Sequence, residues 1–159
     1  MPYTMVLPAT ELSGPPCDPP VGAVPASHSI VELDSAEQFV RLFERHASRS
    51  RRVSDALSAL RLEVQVDGPP AGELQGALLA ECAERLCAQV RACDQVVRWE
   101  PTQFGVLVPG CTALRASAVL FRLARAASGD YRLDGRLLHL RVTGQVLVPR
   151  TDGAGPGGA

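Results

Sequence analysis

Residues 96–110, VVRWEPTQFGVLVPG, predict a β-hairpin. Two largely apolar runs, 96–99 and 104–108, flank the short segment EPTQ at 100–103. Valine, tryptophan and phenylalanine favour strands, and two such runs separated by a few turn residues are typical of a hairpin. This hairpin lies at the centre of a regular alternation of strands and helices.

The elements before the hairpin are a helix, a strand and a second helix. Ser35 followed by Gln38 is typical of an N-cap with its capping-box partner, so a helix is predicted over about 35–50. Residues 59–68, ALRLEVQVDG, alternate apolar and polar side chains and predict a half-buried strand. Residues 73–94 carry apolar side chains at helical spacing, which predicts an amphipathic helix.

The elements after the hairpin complete a recurrent order. Residues 112–128 predict another helix with Thr112 as its candidate N-cap, and residues 131–148 predict a second hairpin around Asp134-Gly135 with a long final strand. After the first helix the order is β-α-β-β-α-β. This order is typical of an α+β, ferredoxin-like or nucleotide-cyclase-like fold, an antiparallel sheet with helices packed on it.

Proline and glycine mark the limits of the domain. Both residues are dense in the first thirty positions and again in the sequence RTDGAGPGGA. Such composition disfavours regular structure. We therefore predict a flexible arm at 1–30, a single domain at 31–149 and a flexible tail at 150–159.

Composition excludes several functional classes. The formal net charge is −1 and all 16 basic residues are arginine, so broad binding to nucleic acid or to an anionic membrane is not expected. The chain shows no signal-peptide pattern and no apolar run of membrane-spanning length. Its five cysteines lack zinc-site or paired spacing, so we expect no metal and a reducing cytoplasm.

The segment RACDQVVRWEPTQFGVLVPG at 91–110 resembles the GGDEF domain of diguanylate cyclases, a resemblance that extends over about 35–148. The family pattern is R-x-x-D-x-x-x-R-x-G-G-D/E-E-F, followed by an apolar strand and proline. Five positions match it without a gap: Arg91, Asp94, Arg98, Phe104 and Pro109. The first four signature positions differ and hold Glu100, Pro101, Thr102 and Gln103.

The resemblance implies that this signature is degenerate. The family's two glycines let the backbone approach the substrate, whereas Pro101 fixes φ and removes an N–H group, and Glu100 brings a negative charge toward any phosphate. The family's acidic signature residues help to hold divalent metals. Thr102 and Gln103 are poor replacements for magnesium-binding carboxylates.

A second departure lies upstream of the hairpin. Asp67 matches the family's metal-binding aspartate, but the segment GPPAGELQG at 68–76 is too short for the family's guanine-nucleotide segment. Both halves of the substrate site are therefore altered. We expect no cyclase activity, no catalytic residues, no cofactor and no magnesium.

The R-x-x-D part of the pattern implies a ligand. In the family it is the inhibitory site, which binds the product cyclic di-GMP outside the catalytic cleft. Arg91 can donate two hydrogen bonds to guanine O6 and N7, and Asp94 can accept from N1–H and N2–H. A further arginine commonly joins this site, and Arg122 falls in register. The predicted ligand-binding set is Arg91, Asp94, Arg122 and Arg98.

Alternatives to this ligand site remain. An arginine and an aspartate three residues apart on a helix end are commonly only a solvated pair. The basic run RHASRSRR at 45–52 is typical of a solvated helix end. Beside cyclic di-GMP, a protein partner or a homodimer is expected. The alternative function is a nucleotide-independent pseudo-enzyme protein-interaction module in a bacterial signalling or secretion assembly.

Overall fold

The computed structural model describes residues 29–53, 55–68 and 72–150, together with the backbone of residues 3–6. Three helices and seven strands occur in this part of the chain. In order, they are β1 (Tyr3–Val6), β2 (Val31–Glu32), α1 (Ala36–Arg52), β3 (Leu57–Asp67), α2 (Glu73–Cys87), β4 (Gln95–Glu100), β5 (Gln103–Pro109), α3 (Ala113–Ala127), β6 (Gly129–Leu133) and β7 (Arg136–Pro149).

The strands form one sheet in the order β1-β7-β3-β5-β4-β2, with β6 also paired to β7. Every pair is antiparallel except β2 with β4. The predicted β-α-β-β-α-β order is present as β3-α2-β4-β5-α3-β7, with β6 inserted before the last strand. The predicted α+β fold class is therefore confirmed.

Helices cover both faces of the sheet. Side chains alternate across a strand, so Leu60 and Leu62 pack in the core under α2 and α3, while Ala59 packs with α1 on the opposite face. On that second face Phe39 of α1 stacks on Trp99, with ring centroids 4.9 Å apart. Burial of apolar surface on both faces is the main force that fixes the helices to the sheet.

Two strand glycines permit close packing. A Cβ atom added at Gly105 would lie 2.5 Å from the Phe39 ring, so the glycine lets α1 approach the sheet. A Cβ atom added at Gly144 would lie 2.6 Å from the carbonyl oxygen of Arg61 and 2.7 Å from a methyl carbon of Leu120. Gly144 therefore allows β7 to pack closely against the neighbouring strand β3 and against helix α3.

The predicted caps and turn occur with some differences. The Ser35 hydroxyl accepts from the Gln38 N–H at 3.3 Å, but the Gln38 side chain accepts from the N–H of Asp34. Thr112 is the N-cap of α3 without a side-chain cap bond. Asp134 and Gly135, with φ of 49° and 73°, form the predicted turn between β6 and β7. Positive φ at both central residues is what a type I′ hairpin turn requires.

Two boundaries differ from the sequence prediction. Helix α2 ends at Cys87 rather than in the predicted segment up to 94. The Gln89 N–H donates to the carbonyl oxygen of Leu86 in a tighter turn, and the Asp94 carboxylate accepts the Arg91 N–H, which a continued helix would direct to Cys87. Tyr3–Val6, assigned to the flexible arm, pairs with the end of β7. The rest of the predicted arm up to residue 28, and the tail from residue 151, lie outside the described residues.

Candidate functional site

The R-x-x-D residues lie in the turn between α2 and β4. The N–H of Asp94 donates to the carbonyl oxygen of Arg91 at 3.0 Å, and the Asp94 carboxylate accepts the N–H of Arg91 at 2.8 Å. Asp94 is only 4% exposed. Arg91 and Asp94 therefore lie in a turn rather than at the end of α2, and the Asp94 side chain closes this turn and is buried beneath it.

Arg122 reaches this turn from α3. Its neighbours Val119 and Leu123 are buried against the sheet, which leaves Arg122 on the flank of the helix. The guanidinium donates to the carbonyl oxygen of Gln89 at 3.0 Å. Gln89 belongs to the same connection as Arg91, so the hydrogen bond ties α3 to the turn that holds Asp94.

The electrostatics of Asp94 follow from its burial. Removal from water raises the pKa of this carboxyl above its ordinary value. The hydrogen bond from the Arg91 N–H and the charges of Arg91 and Arg122 favour the ionised form and oppose this increase in pKa. The structure thus brings Arg91, Asp94 and Arg122 into one group, named here the arginine–aspartate cluster.

Arg98, the fourth predicted ligand residue, is engaged elsewhere. Its guanidinium donates to both carboxylate oxygens of Glu32 on β2, at 2.6 Å and 3.2 Å, and lies 5.9 Å from the centroid of the Phe104 ring. This bidentate pair fastens β2 to β4. Sequence reasoning missed Glu32, because a contact between such distant positions has no local signal.

The four altered signature positions span the end of β4, the hairpin turn and the start of β5. Glu100 pairs with Gln103 after a bulge in β4, and the carbonyl oxygen of Thr102 accepts the N–H of Val64 at 2.9 Å. The Oε1 atom of Gln103 is buried and accepts no hydrogen bond from the described residues. This turn is therefore bonded to the central strand β3 through its backbone.

The upstream half of the altered site is the end of β3. Asp67 lies 4.0 Å from the Nε2 atom of His139, whose Nδ1 atom is 2.9 Å from the carboxylate of Asp130. Helix α2 begins at Glu73 after Gly72, which provides no side-chain cap. Among the described residues, no group of three or more histidine, cysteine or acidic side chains could hold a metal ion.

Solved structures share this architecture. A sensory box/GGDEF family protein from Caulobacter crescentus matches with a TM-score of 0.62 at 21% identity, over 77% of this chain and 83% of that one. The GGDEF domain of FimX from Pseudomonas aeruginosa matches with a TM-score of 0.57 at 20% identity, over 80% and 84% of the two chains. This chain has a GGDEF-like fold.

The GGDEF-like fold is also found in diguanylate cyclase SiaD from Pseudomonas aeruginosa, solved in complex with its activator SiaC. That match has a TM-score of 0.55 at 18% identity and covers 69% of this chain but 44% of the SiaD chain. No protein-family model matches the sequence, and neither does any curated protein. Within the described part of this GGDEF-like chain, none of the helices is sufficiently long and apolar to cross a membrane.

Proposed function

We propose that this chain is a non-catalytic GGDEF-like domain that binds cyclic di-GMP at the arginine–aspartate cluster. The observation that carries the proposal is the convergence of Arg91, Asp94 and Arg122, which come from a turn and a separate helix. Arg98 is left out of the ligand set because it is paired with Glu32.

The chemistry of the cluster suits a guanine base. The Arg122 guanidinium, a planar group with five N–H donors, donates to the carbonyl oxygen of Gln89. The Asp94 carboxylate accepts the Arg91 N–H and the Cys93 thiol, which leaves part of the capacity of a carboxylate, about four acceptor positions. Because Asp94 is 4% exposed, guanine binding requires the turn to open toward the base. Arginine matches the O6 and N7 edge of guanine, while a carboxylate matches the N1–H and N2–H edge.

The proposed binding is tested by calorimetric titration of the full chain with cyclic di-GMP. We expect saturable binding that Arg91→Ala weakens by about 5- to 150-fold, the value of one bidentate guanine contact. Arg91→Lys should weaken binding similarly, since an ammonium keeps the charge but loses the planar pair of donors.

The matched control is Arg52→Ala, which removes an exposed arginine from α1 on the opposite face of the sheet. This variant should bind as tightly as the unmodified chain. Absence of binding at micromolar concentrations, or equal weakening by the Arg91 and Arg52 substitutions, would refute the receptor function.

The absence of catalysis forms part of the same proposal. It is supported by Pro101 and Thr102 at the hairpin turn and by the short connection from β3 to α2. Incubation with GTP and magnesium, followed by chromatography, should yield no cyclic di-GMP. A product peak that grows with protein concentration would contradict this expectation.

The second candidate is a nucleotide-independent interaction module in a signalling or secretion assembly of the reducing cytoplasm. The observation that favours it is the burial of Asp94, whose carboxylate serves its own turn. A partner complex that forms equally with and without cyclic di-GMP, and that survives Arg91→Ala, would favour this module over the receptor.

A further inference from the structure

Helix α3 exposes an apolar stripe. Leu114 is 63% exposed and Phe121 is 58% exposed, and the exposed Ala118 lies between them. These positions are i, i+4 and i+7, so they share one face of the helix. The opposite face is already buried, by residues that include Ala116 and Leu123. The exposed residues are named here the α3 stripe.

The exposed apolar side chains of α3 lie next to one another on the surface. The described residues include five exposed large hydrophobic side chains, and two of them, Leu114 and Phe121, lie on this one stripe. Single exposed apolar residues are ordinary on protein surfaces, whereas a contiguous patch marks an interaction site. Packing on the sheet buries one face of α3 and does not account for the apolar side chains on its exposed face.

The charged residues of α3 are all positive. Helix α3 contains Arg115, Arg122 and Arg125, and its fifteen residues include no aspartate or glutamate. Arg115 and Arg125 are exposed. At 100° per residue, Arg115 borders the stripe on the same flank as Arg122, while Arg125 continues the stripe beyond Phe121.

The positive charge of α3 indicates which kind of partner can bind the α3 stripe. Two copies of α3 packed against each other would bring arginines together without a compensating carboxylate on either helix, and like charges at an interface are strongly unfavourable. A partner helix with carboxylates beside its apolar seam would instead pair with Arg115 and Arg125. Charges of this kind beside a helical seam set the choice of partner.

We infer that the α3 stripe docks an acidic amphipathic helix of a partner protein. Leu114 and Phe121 enter the apolar seam of that helix, and Arg115 and Arg125 face its carboxylates. This inference does not depend on cyclic di-GMP, because the stripe points away from the sheet and its apolar residues take no part in the arginine–aspartate cluster. A negative result for helix docking would therefore leave the proposed binding of cyclic di-GMP standing, and a negative result for cyclic di-GMP would leave the docking inference standing.

The test uses two synthetic helical peptides with the same leucine and alanine seam, one flanked by glutamates and the other by lysines. Fluorescence anisotropy of the labelled peptides is measured as the full chain is added. We expect saturable binding of the glutamate peptide and none of the lysine peptide over the same concentrations. Phe121→Ala and Leu114→Ala should each weaken binding by about tenfold, as expected for central apolar contacts.

The matched control is Leu137→Ala, which removes a leucine that is 61% exposed on β7. It should leave peptide binding unchanged. Equal binding of the two peptides, failure to bind the glutamate peptide, or equal effects of the Leu114 and Leu137 substitutions would overturn the inference. Sedimentation that reveals a dimer dissociated by Phe121→Ala would also overturn it, by assigning the stripe to a second copy.

Discussion

Gly144→Ala is expected to lower the free energy of unfolding by about 3 kcal/mol, the upper range for overpacking in a core. The added Cβ atom would lie 2.6 Å from the carbonyl oxygen of Arg61 and 2.8 Å from a methyl carbon of Leu62. The first of these neighbours is backbone of the paired strand β3, so the strand itself must move. The loss outweighs the gain of about 0.4–1 kcal/mol that a Gly→Ala change gives by restricting the unfolded chain.

Two other Gly→Ala substitutions serve as comparisons, because their added Cβ atoms meet different surroundings. At Gly105 the added Cβ atom would meet the side chain of Phe39, and a ring can shift where a strand cannot, so Gly105→Ala should cost less. At Gly76, within α2, the added atom meets nothing within 4 Å, and alanine should stabilise the helix by about 0.5–1 kcal/mol. Urea unfolding followed by the fluorescence of the single tryptophan, Trp99, measures all three. A Gly144→Ala variant as stable as Gly105→Ala would contradict the packing described for β7.

Asp94→Ala is expected to lower the free energy of unfolding by about 1–3 kcal/mol, because the Arg91 N–H would lose its acceptor in a buried turn. The loss should appear as a lower urea midpoint with an unchanged slope. Asp94→Asn retains a side-chain oxygen for this N–H and should lose less. If alanine and asparagine are equally destabilising, the hydrogen bond to the turn is not what Asp94 contributes.

Asp94→Asn also isolates the pH dependence of this carboxyl. Burial raises the pKa of Asp94 in the folded protein above its ordinary value of 3.8. Between the unfolded and folded pKa values the native state therefore binds more protons, and stability falls as pH rises through that interval. The unmodified chain should lose stability relative to Asp94→Asn as the pH rises above the ordinary pKa of 3.8. A constant difference would show that the charges of Arg91 and Arg122 balance burial, and a difference that grows in favour of the unmodified chain would show that they outweigh it.

The elements predicted from sequence are those with strong periodicity. The alternation in β3 and the spacing in α3 predict strand and helix because their core-facing residues repeat along a single face. The end of α2 was predicted wrongly, since apolar spacing continues to Val90 while Asp94 bonds its own turn. Local side-chain bonds of this kind decide boundaries without changing the hydrophobic pattern.

The candidate site was predictable only in part. Arg91, Asp94 and Arg122 were grouped through a family resemblance, and the structure brings these three together. The burial of Asp94 was not foreseen, because a sequence pattern does not show which side of a turn faces the core. The pairing of Arg98 with Glu32 depends on the parallel alignment of a two-residue strand, too short for any periodicity.

That two-residue strand also affects how the sheet ends. An unpaired strand edge is a template on which another chain can add, and natural proteins protect such edges with short strands, charges and bulges. At the outer edge of β4 all three are present: β2 contributes only Val31 and Glu32, the Arg98–Glu32 ion pair holds it in place, and a bulge follows Arg98. Strands β4 and β5 together carry four buried valines, so an open edge here would present an apolar template. The closure by β2 therefore opposes edge-to-edge association of the native chain.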